Sequence, residues 1–240
     1  GQEYHNGAIT ALAEGWNPLS QDYAVAPSLQ GVSVVLPWPQ HYPKTFWISS
    51  ALQVAAGFSG EAAKNQPFLF WIASALALFG AARRLGAAWR PAAAIAFVAS
   101  LNPVTLVQMF TRMNDGAFAS AVVIFVAFAA LWIARQDRRA LVPLAAVMVV
   151  ALNLKFSVAP MLGVLCAFAC LAWWLRAGLK SALGTGLVLG GIGAFAMCVA
   201  GYDPYIQNLI QHGHPFYPVM GGAKTDIMAA NRPKLLEPMS

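Results

Sequence analysis

Arg112, Asp115 and Lys155 are charged side chains set at the ends of long apolar runs. The stretch "TRMNDG" (111–116) stands between "AAAIAFVASLNPVTLVQMF" and "AFASAVVIFVAFAALWIA", and Lys155 occupies the short turn "NLKFSVAP". Ionised residues at membrane level are usually retained for a substrate or ion path. The plain alternatives are a helix N-cap for Asp115 and a Lys155 that snorkels to headgroups; the functional one for Lys155 is to hold an anionic group such as a lipid phosphate. "HYPK" adds His41, Tyr42 and Lys44, a basic and aromatic cluster that suits phosphate headgroups, a phosphorylated lipid or plain lipid anchoring. "GQEYH" adds Glu3 and His5, and a carboxylate there is a candidate general base towards a hydroxyl within hydrogen-bond reach. After the last apolar run, "GYDPYIQNLIQHGHPFYPVMGG" brings Tyr202, Asp203, Tyr205, Asn208, His212, His214 and Tyr217. His212 and His214 point in different directions on a helix, so a His-x-His metal pair requires an extended backbone.

These groups need a scaffold, and composition names its class. The chain has 240 residues, 59% apolar and 10% charged, against about 25% charged in soluble domains. Runs of roughly 20 apolar residues can cross a ~30 Å hydrocarbon core as helices. The expected fold is all-α: a polytopic helical membrane protein with about six transmembrane helices, at roughly 67–82, 91–110, 117–134, 140–154, 160–175 and 182–200. Asn102-Pro103 marks a kink in the second of these. Two shorter stretches suit interfacial amphipathic helices. "NGAITALAEGW" spaces Ile9, Leu12, Ala13 and Trp16 helically behind Asn6 as N-cap, and "TFWISSALQVAAGF" groups Trp47, Ile48, Ala51, Leu52 and Ala55 opposite Ser49, Ser50 and Gln53. The net charge of +6 is dispersed at helix ends, without the basic run interleaved with aromatics that nucleic-acid binding needs. Cys166, Cys170 and Cys198 lie inside apolar runs, without zinc or disulfide spacing.

Charge sets the expected orientation. Arg83, Arg84, Arg90, Arg135, Arg138, Arg139, Arg176 and Lys180 fill three short turns, which the positive-inside rule makes cytoplasmic. An extracytoplasmic loop (1–66), a six-helix domain (67–200) and an extracytoplasmic tail (201–240) follow. Glu3, Glu14, Asp22, Glu61, Asp115, Asp203, Asp226 and Glu237 then lie outside with all four histidines, and Asp137 alone lies inside. The opening "GQEYHNG" lacks a leader or first anchor, so a fragment of a longer polypeptide is expected, with a defined subunit as the alternative.

Together these segments resemble the polytopic, polyprenyl-phosphate-dependent glycosyltransferases of the GT-C type. "QEYHNGAITALAEGWNP", "HYPK" and the two amphipathic stretches look like the outer loop of those enzymes, which carries an acidic motif. "NP…TRMNDG", "NLKFS" and "GYDPYIQN…HGHPFYP" look like their outer-face segments. The likeness rests on order and placement and covers nearly the whole chain. It implies a sugar donor on a polyprenyl phosphate, with Glu3 and Asp115 in catalytic roles. Lys44, Arg112 and Lys155 would take the departing phosphate, while His5, His41, Tyr202, Asp203 and His214 would add substrate contacts. It implies location in a bacterial inner membrane and contact with membrane lipids. A divalent cation bridging carboxylate and phosphate is compatible with this chemistry but not required by the sequence, and no resident metal site is expected.

Two other classes compete. A transporter is expected to show ionisable residues or broken helices at mid-membrane level, whereas here the polar groups collect at one face. A non-catalytic subunit packing against other membrane proteins accounts equally well for short-looped helices and for Gly184, Gly186, Gly190, Gly191 and Gly193, which suit close helix contact.

Overall fold

The computed structural model describes residues 3–30 and 38–221, apart from the side chains of Glu3 and Ala63. Among the described residues the chain is helical throughout, with no strand. In chain order the helices are α1 (Glu3–Ala13), α2 (Trp38–His41), α3 (Thr45–Ala55), α4 (Gln66–Arg84), α5 (Trp89–Ser100), α6 (Pro103–Gln108), α7 (Asp115–Arg135), α8 (Leu141–Leu152), α9 (Val158–Ala177), α10 (Leu179–Phe195) and α11 (Gln207–His212). Two π-helical turns carry the chain from α10 to α11.

Among the described residues, four helices are long and apolar enough to cross a membrane: Gln66–Arg84, Asp115–Arg135, Val158–Ala177 and Leu179–Ala200. This differs from the expected count of about six. The second expected span is broken, because Pro103 lacks an N–H and disfavours helical backbone at the residue before it. Asn102 turns extended there and caps α6, its side chain accepting from the Thr105 N–H at 3.0 Å. The fourth expected span, α8, has 12 residues and rises only about 18 Å.

The bundle is apolar outside as well as inside. Leu76, Val98, Val107, Val142, Leu175 and Leu187 are exposed, a pattern suited to a lipid surround rather than water. α7 is the central helix, burying Ala121, Phe125, Leu131 and Trp132 against α4, α8 and α9.

The three basic turns gather at one end. Arg84 pairs with Asp137 at 3.3 Å, and Arg176 donates to the Ala134 carbonyl at 3.2 Å. The 21 residues of α7 rise about 31 Å, so Asp115 lies one hydrocarbon thickness away from that basic end. A second apolar cluster caps the Asp115 end, joining Ala8 and Ile9 of α1 and Phe46, Trp47 and Ala51 of α3 to Ala117, Leu154, Phe156 and Tyr205.

Two Schellman turns end the capping helices. Gly15 (φ +100°) and Gly57 (φ +89°) take left-handed backbone, and the following amides of Trp16 and Phe58 reach back to the carbonyls of Ala11 and Gln53. The expected cap of α1 and the expected faces of α3 require correction. α1 begins at Glu3, so Asn6 lies inside the helix and is not its cap. α3 buries Phe46, Trp47, Ser50 and Ala51, whereas Ile48 and Leu52 are exposed. Periodicity locates an apolar stripe without saying whether it meets protein or lipid.

Candidate functional site

The polar seam lies where α1 and α3 meet the start of α7 and the turn after α8. Lys155 Nζ contacts Asp115 Oδ1 at 2.6 Å, with the two side chains 31% and 30% exposed. Asp115 opens α7 without capping it. The Gln108 side chain performs that role, its Oε1 accepting the Gly116 N–H at 2.9 Å while its Nε2 donates to Asp115 Oδ2 at 3.3 Å. This geometry requires α6 to approach α7 closely: a Cβ on Gly116 would lie 3.3 Å from Thr105 Cα. Asn114 ties the same turn to the Leu154 carbonyl at 2.6 Å.

Arg112 faces α1. Its guanidinium donates to Asn6 Oδ1 and, at 2.7 Å, to the Gly60 carbonyl. Its Nε is buried without an acceptor among the described residues. The backbone of Glu3 opens α1 three residues before Asn6, but its side chain lies outside the described atoms.

His5, next to Asn6, is 1% exposed. Trp47 Nε1, which can only donate, gives its hydrogen to His5 Nδ1 at 2.7 Å. The network therefore assigns the ring proton to Nε2, and this Nε2–H has no acceptor among the described residues. Leaving a buried donor unpaired costs about 1–3 kcal/mol. Burial, then the charge of Lys155, holds the imidazole neutral, with its pKa pushed down to about 4. Tyr4 lies against it, tilted by 32° with centroids 4.1 Å apart; burial, then the charge of Asp115, raises the Tyr4 pKa to about 12.

An apolar groove of about 620 Å³ runs beside this seam, with Lys155 in its lining next to Trp38, Tyr42, Phe156, Pro160 and Phe216. Carbon surface dominates it, and Lys155 is its one charged group among the described residues.

Lys44 is placed apart from Lys155. It is buried against Asp203, with Nζ 2.9 Å from Oδ2 and 3.0 Å from Oδ1, and donates to the carbonyls of Gln40 and Tyr42 as well. Burial lowers the Lys44 pKa and raises that of Asp203, and the attraction between the two opposes both shifts. Tyr202 is partly exposed and lines a neighbouring cavity of about 420 Å³ with Asp203, Asn17 and Thr45.

The remaining histidines divide. His41 Nδ1 meets Asn208 Oδ1 at 2.9 Å, edge-on to His212 and Tyr217, which stack on each other at 3.8 Å. Burial, first of several causes, lowers the His41 pKa to about 4. His214 serves its own turn, its Nδ1 accepting the Phe216 N–H at 3.1 Å. Among the described residues no three His, Cys, Asp or Glu side chains converge to hold a metal ion.

The structure thus gathers His5, Arg112, Asp115 and Lys155 in one seam and sets Lys44 with Asp203, and His41 with His212, in two others. Sequence reasoning missed Gln108 as the cap and Trp47 as the partner of His5. An indole inside an amphipathic stripe carries no signal that its N–H is needed.

Fold and seam define a class: among the described residues, an all-helical chain with four helices long and apolar enough to cross a membrane and a polar cluster at the end away from its basic turns. No family model matches the chain, and neither a curated protein nor a solved structure matches it.

Proposed function

We propose that this chain belongs to a membrane glycosyltransferase that moves a sugar from a polyprenyl phosphate to a hydroxyl acceptor at the extracytoplasmic face. The observation that carries the reading is the Lys155–Asp115 pair at the wall of an apolar groove. A polyprenyl phosphate has that shape of polarity, a long hydrocarbon with one anionic head. In this reading the basic turns face the cytoplasm of a bacterial inner membrane. α5 with α6, and α8, are two shorter crossing segments beside the four long helices, for about six in all.

The acceptor hydroxyl gives its proton to a carboxylate, Asp115 with Glu3 as the second candidate, while its oxygen bonds to the anomeric carbon. The anomeric C–O bond breaks and its electron pair leaves with the phosphate. Lys155 stabilises the charge that grows there. The ion pair also keeps Asp115 ionised, the state a base requires. Lys44 and Asp203, saturated by each other, hold the α2–α3 turn against the end of α10; Arg112 holds α1 and the Gly60 turn.

The test is reconstitution of the chain in nanodiscs with a radiolabelled polyprenyl-phosphate sugar and a hydroxylated acceptor. Transfer in the wild type that Lys155→Met and Asp115→Asn abolish supports the proposal. If the wild type neither binds nor consumes the donor, the proposal is lost.

One observation favours a second reading, a non-catalytic subunit of a membrane complex. Gly184 and Gly191 of α10, seven residues apart on one helix face, are exposed and have nothing within 4 Å of an added Cβ, which leaves that face open to a neighbouring helix. Cross-linking from Gly191→Cys to a second membrane protein, in a chain inactive towards the donor, is the outcome that reading expects.

A further inference from the structure

The spare polar atoms around the Lys155–Asp115 pair share one character. Among the described residues, His5 Nε2–H and Arg112 Nε–H are both buried donors without acceptors, and the residues holding them are joined through Asn6, which follows His5 in α1 and accepts from Arg112. A cation or a neutral donor gains nothing from such a set. A group rich in anionic oxygens satisfies it.

His5 is held in one chemical form by its surroundings. Because the Trp47 indole can only donate, His5 Nδ1 must be the bare nitrogen and Nε2 the protonated one. A doubly protonated ring would turn an N–H against the indole N–H. The ring is roofed by Tyr4, which also lies 6.0 Å from Trp38 of the groove wall. Tyr4 is only partly buried, and a ligand in the groove would meet the imidazole by displacing this side chain.

We infer that His5, fixed by Trp47 as a neutral Nε2–H donor, gives a hydrogen bond to a phosphate oxygen of the ligand that Lys155 binds. Trp47 is then a positioning residue that acts through His5. The inference rests on the phosphate-ligand reading of the groove. It adds that the phosphate is read by a neutral donor as well as by an ammonium, so this contact persists at pH values where a free histidine changes charge.

The test is ¹⁵N-histidine NMR of the whole chain in phosphatidylcholine nanodiscs, alone, with a polyprenyl phosphate, and with phosphatidylglycerol. The ligand-free spectrum is expected to show His5 with Nε2 protonated and Nδ1 bare. Adding the ligand phosphate should move the Nε2–H resonance. A shift with both lipids names an ordinary headgroup phosphate as sufficient; a shift with the polyprenyl phosphate alone names the prenyl chain as part of recognition. His5→Gln, whose amide nitrogen can stand near Nε2, should keep affinity within about threefold of wild type, whereas His5→Phe should lose about tenfold, a single hydrogen bond to a charged group. Trp47→Phe should mix the two tautomers in the spectrum and weaken binding. If polyprenyl phosphate binds while the His5 resonances stay put and His5→Phe binds as well as wild type, the inference is overturned and the functional reading stands. If neither lipid binds the wild type, the functional reading falls and takes the inference with it.

Discussion

Lys44 and Asp203, 159 residues apart, form an ion pair in which the side chains are 2% and 5% exposed. It joins the turn before α3 to the break after α10. Removing one partner leaves a buried charge uncompensated, which costs about 3–5 kcal/mol, whereas a well-packed apolar pair can replace both. Asp203→Ala should therefore lower the apparent melting temperature of the detergent-solubilised protein sharply, and Lys44→Met with Asp203→Leu should recover most of the loss. Equal loss in the single and double variants would show that the pair's geometry, rather than its charge balance, is what the fold needs.

The Asp115–Lys155 pair should behave in the opposite way. With nearly a third of each side chain exposed, it contributes no more than about 1 kcal/mol to stability. Asp115→Asn and Lys155→Met are expected to melt within a few degrees of wild type while lowering sugar transfer by about a hundredfold or more. Variants that fold poorly in proportion to their lost activity would make the pair a structural one.

Much of this arrangement was legible in the sequence, and the reasons for the gaps are physical. Charge counting placed Arg112, Asp115 and Lys155 at one end of the helices and the arginine-rich turns together, as the Arg84–Asp137 and Arg176–Ala134 contacts bear out. Apolar spacing located α1 and α3 but not what each stripe meets: on α3, Trp47 and Ala51 turn inward with Phe46 and Ser50, while Ile48 and Leu52 face outward. Pairing was not legible at all. Lys44 and Lys155 look alike as isolated lysines, and only the return of the chain at Asp203 buries one and leaves the other at a groove. The second apolar run was read as a kinked span, but Asn102 can cap, and a capped restart makes two helices.

The glycines give a steric test of the same point. Gly201, which no pattern singles out, would set a Cβ against Asn153 Oδ1, 2.8 Å from the Tyr205 ring and 2.9 Å from the Ala196 carbonyl. Gly190, in the glycine-rich run, has open space around it. Gly201→Ala should destabilise by about 1–3 kcal/mol through overpacking, and Gly190→Ala should be neutral or slightly stabilising in the monomer, since alanine is the better helix former. Thermal denaturation of the two variants side by side decides it; a neutral Gly201→Ala would mean that the turn at Asn153 yields readily.

His5, buried, and His41, half-buried, are expected to shape the acid limb of stability. His5 and His41 both have folded-state pKa values near 4 against 6.5 for the free side chain. The unfolded chain therefore binds more protons than the folded one between those values, and stability rises with pH across that window. Stability from these two groups is complete above about pH 6.5 and is lost as pH falls through 6.5 towards 4. His5→Gln and His41→Asn should each flatten the slope of apparent melting temperature against pH in that interval, and the double variant should flatten it further. If both single variants keep the full slope, other groups govern the acid limb, and the neutral, Trp47-bound state of His5 is not what the fold protects.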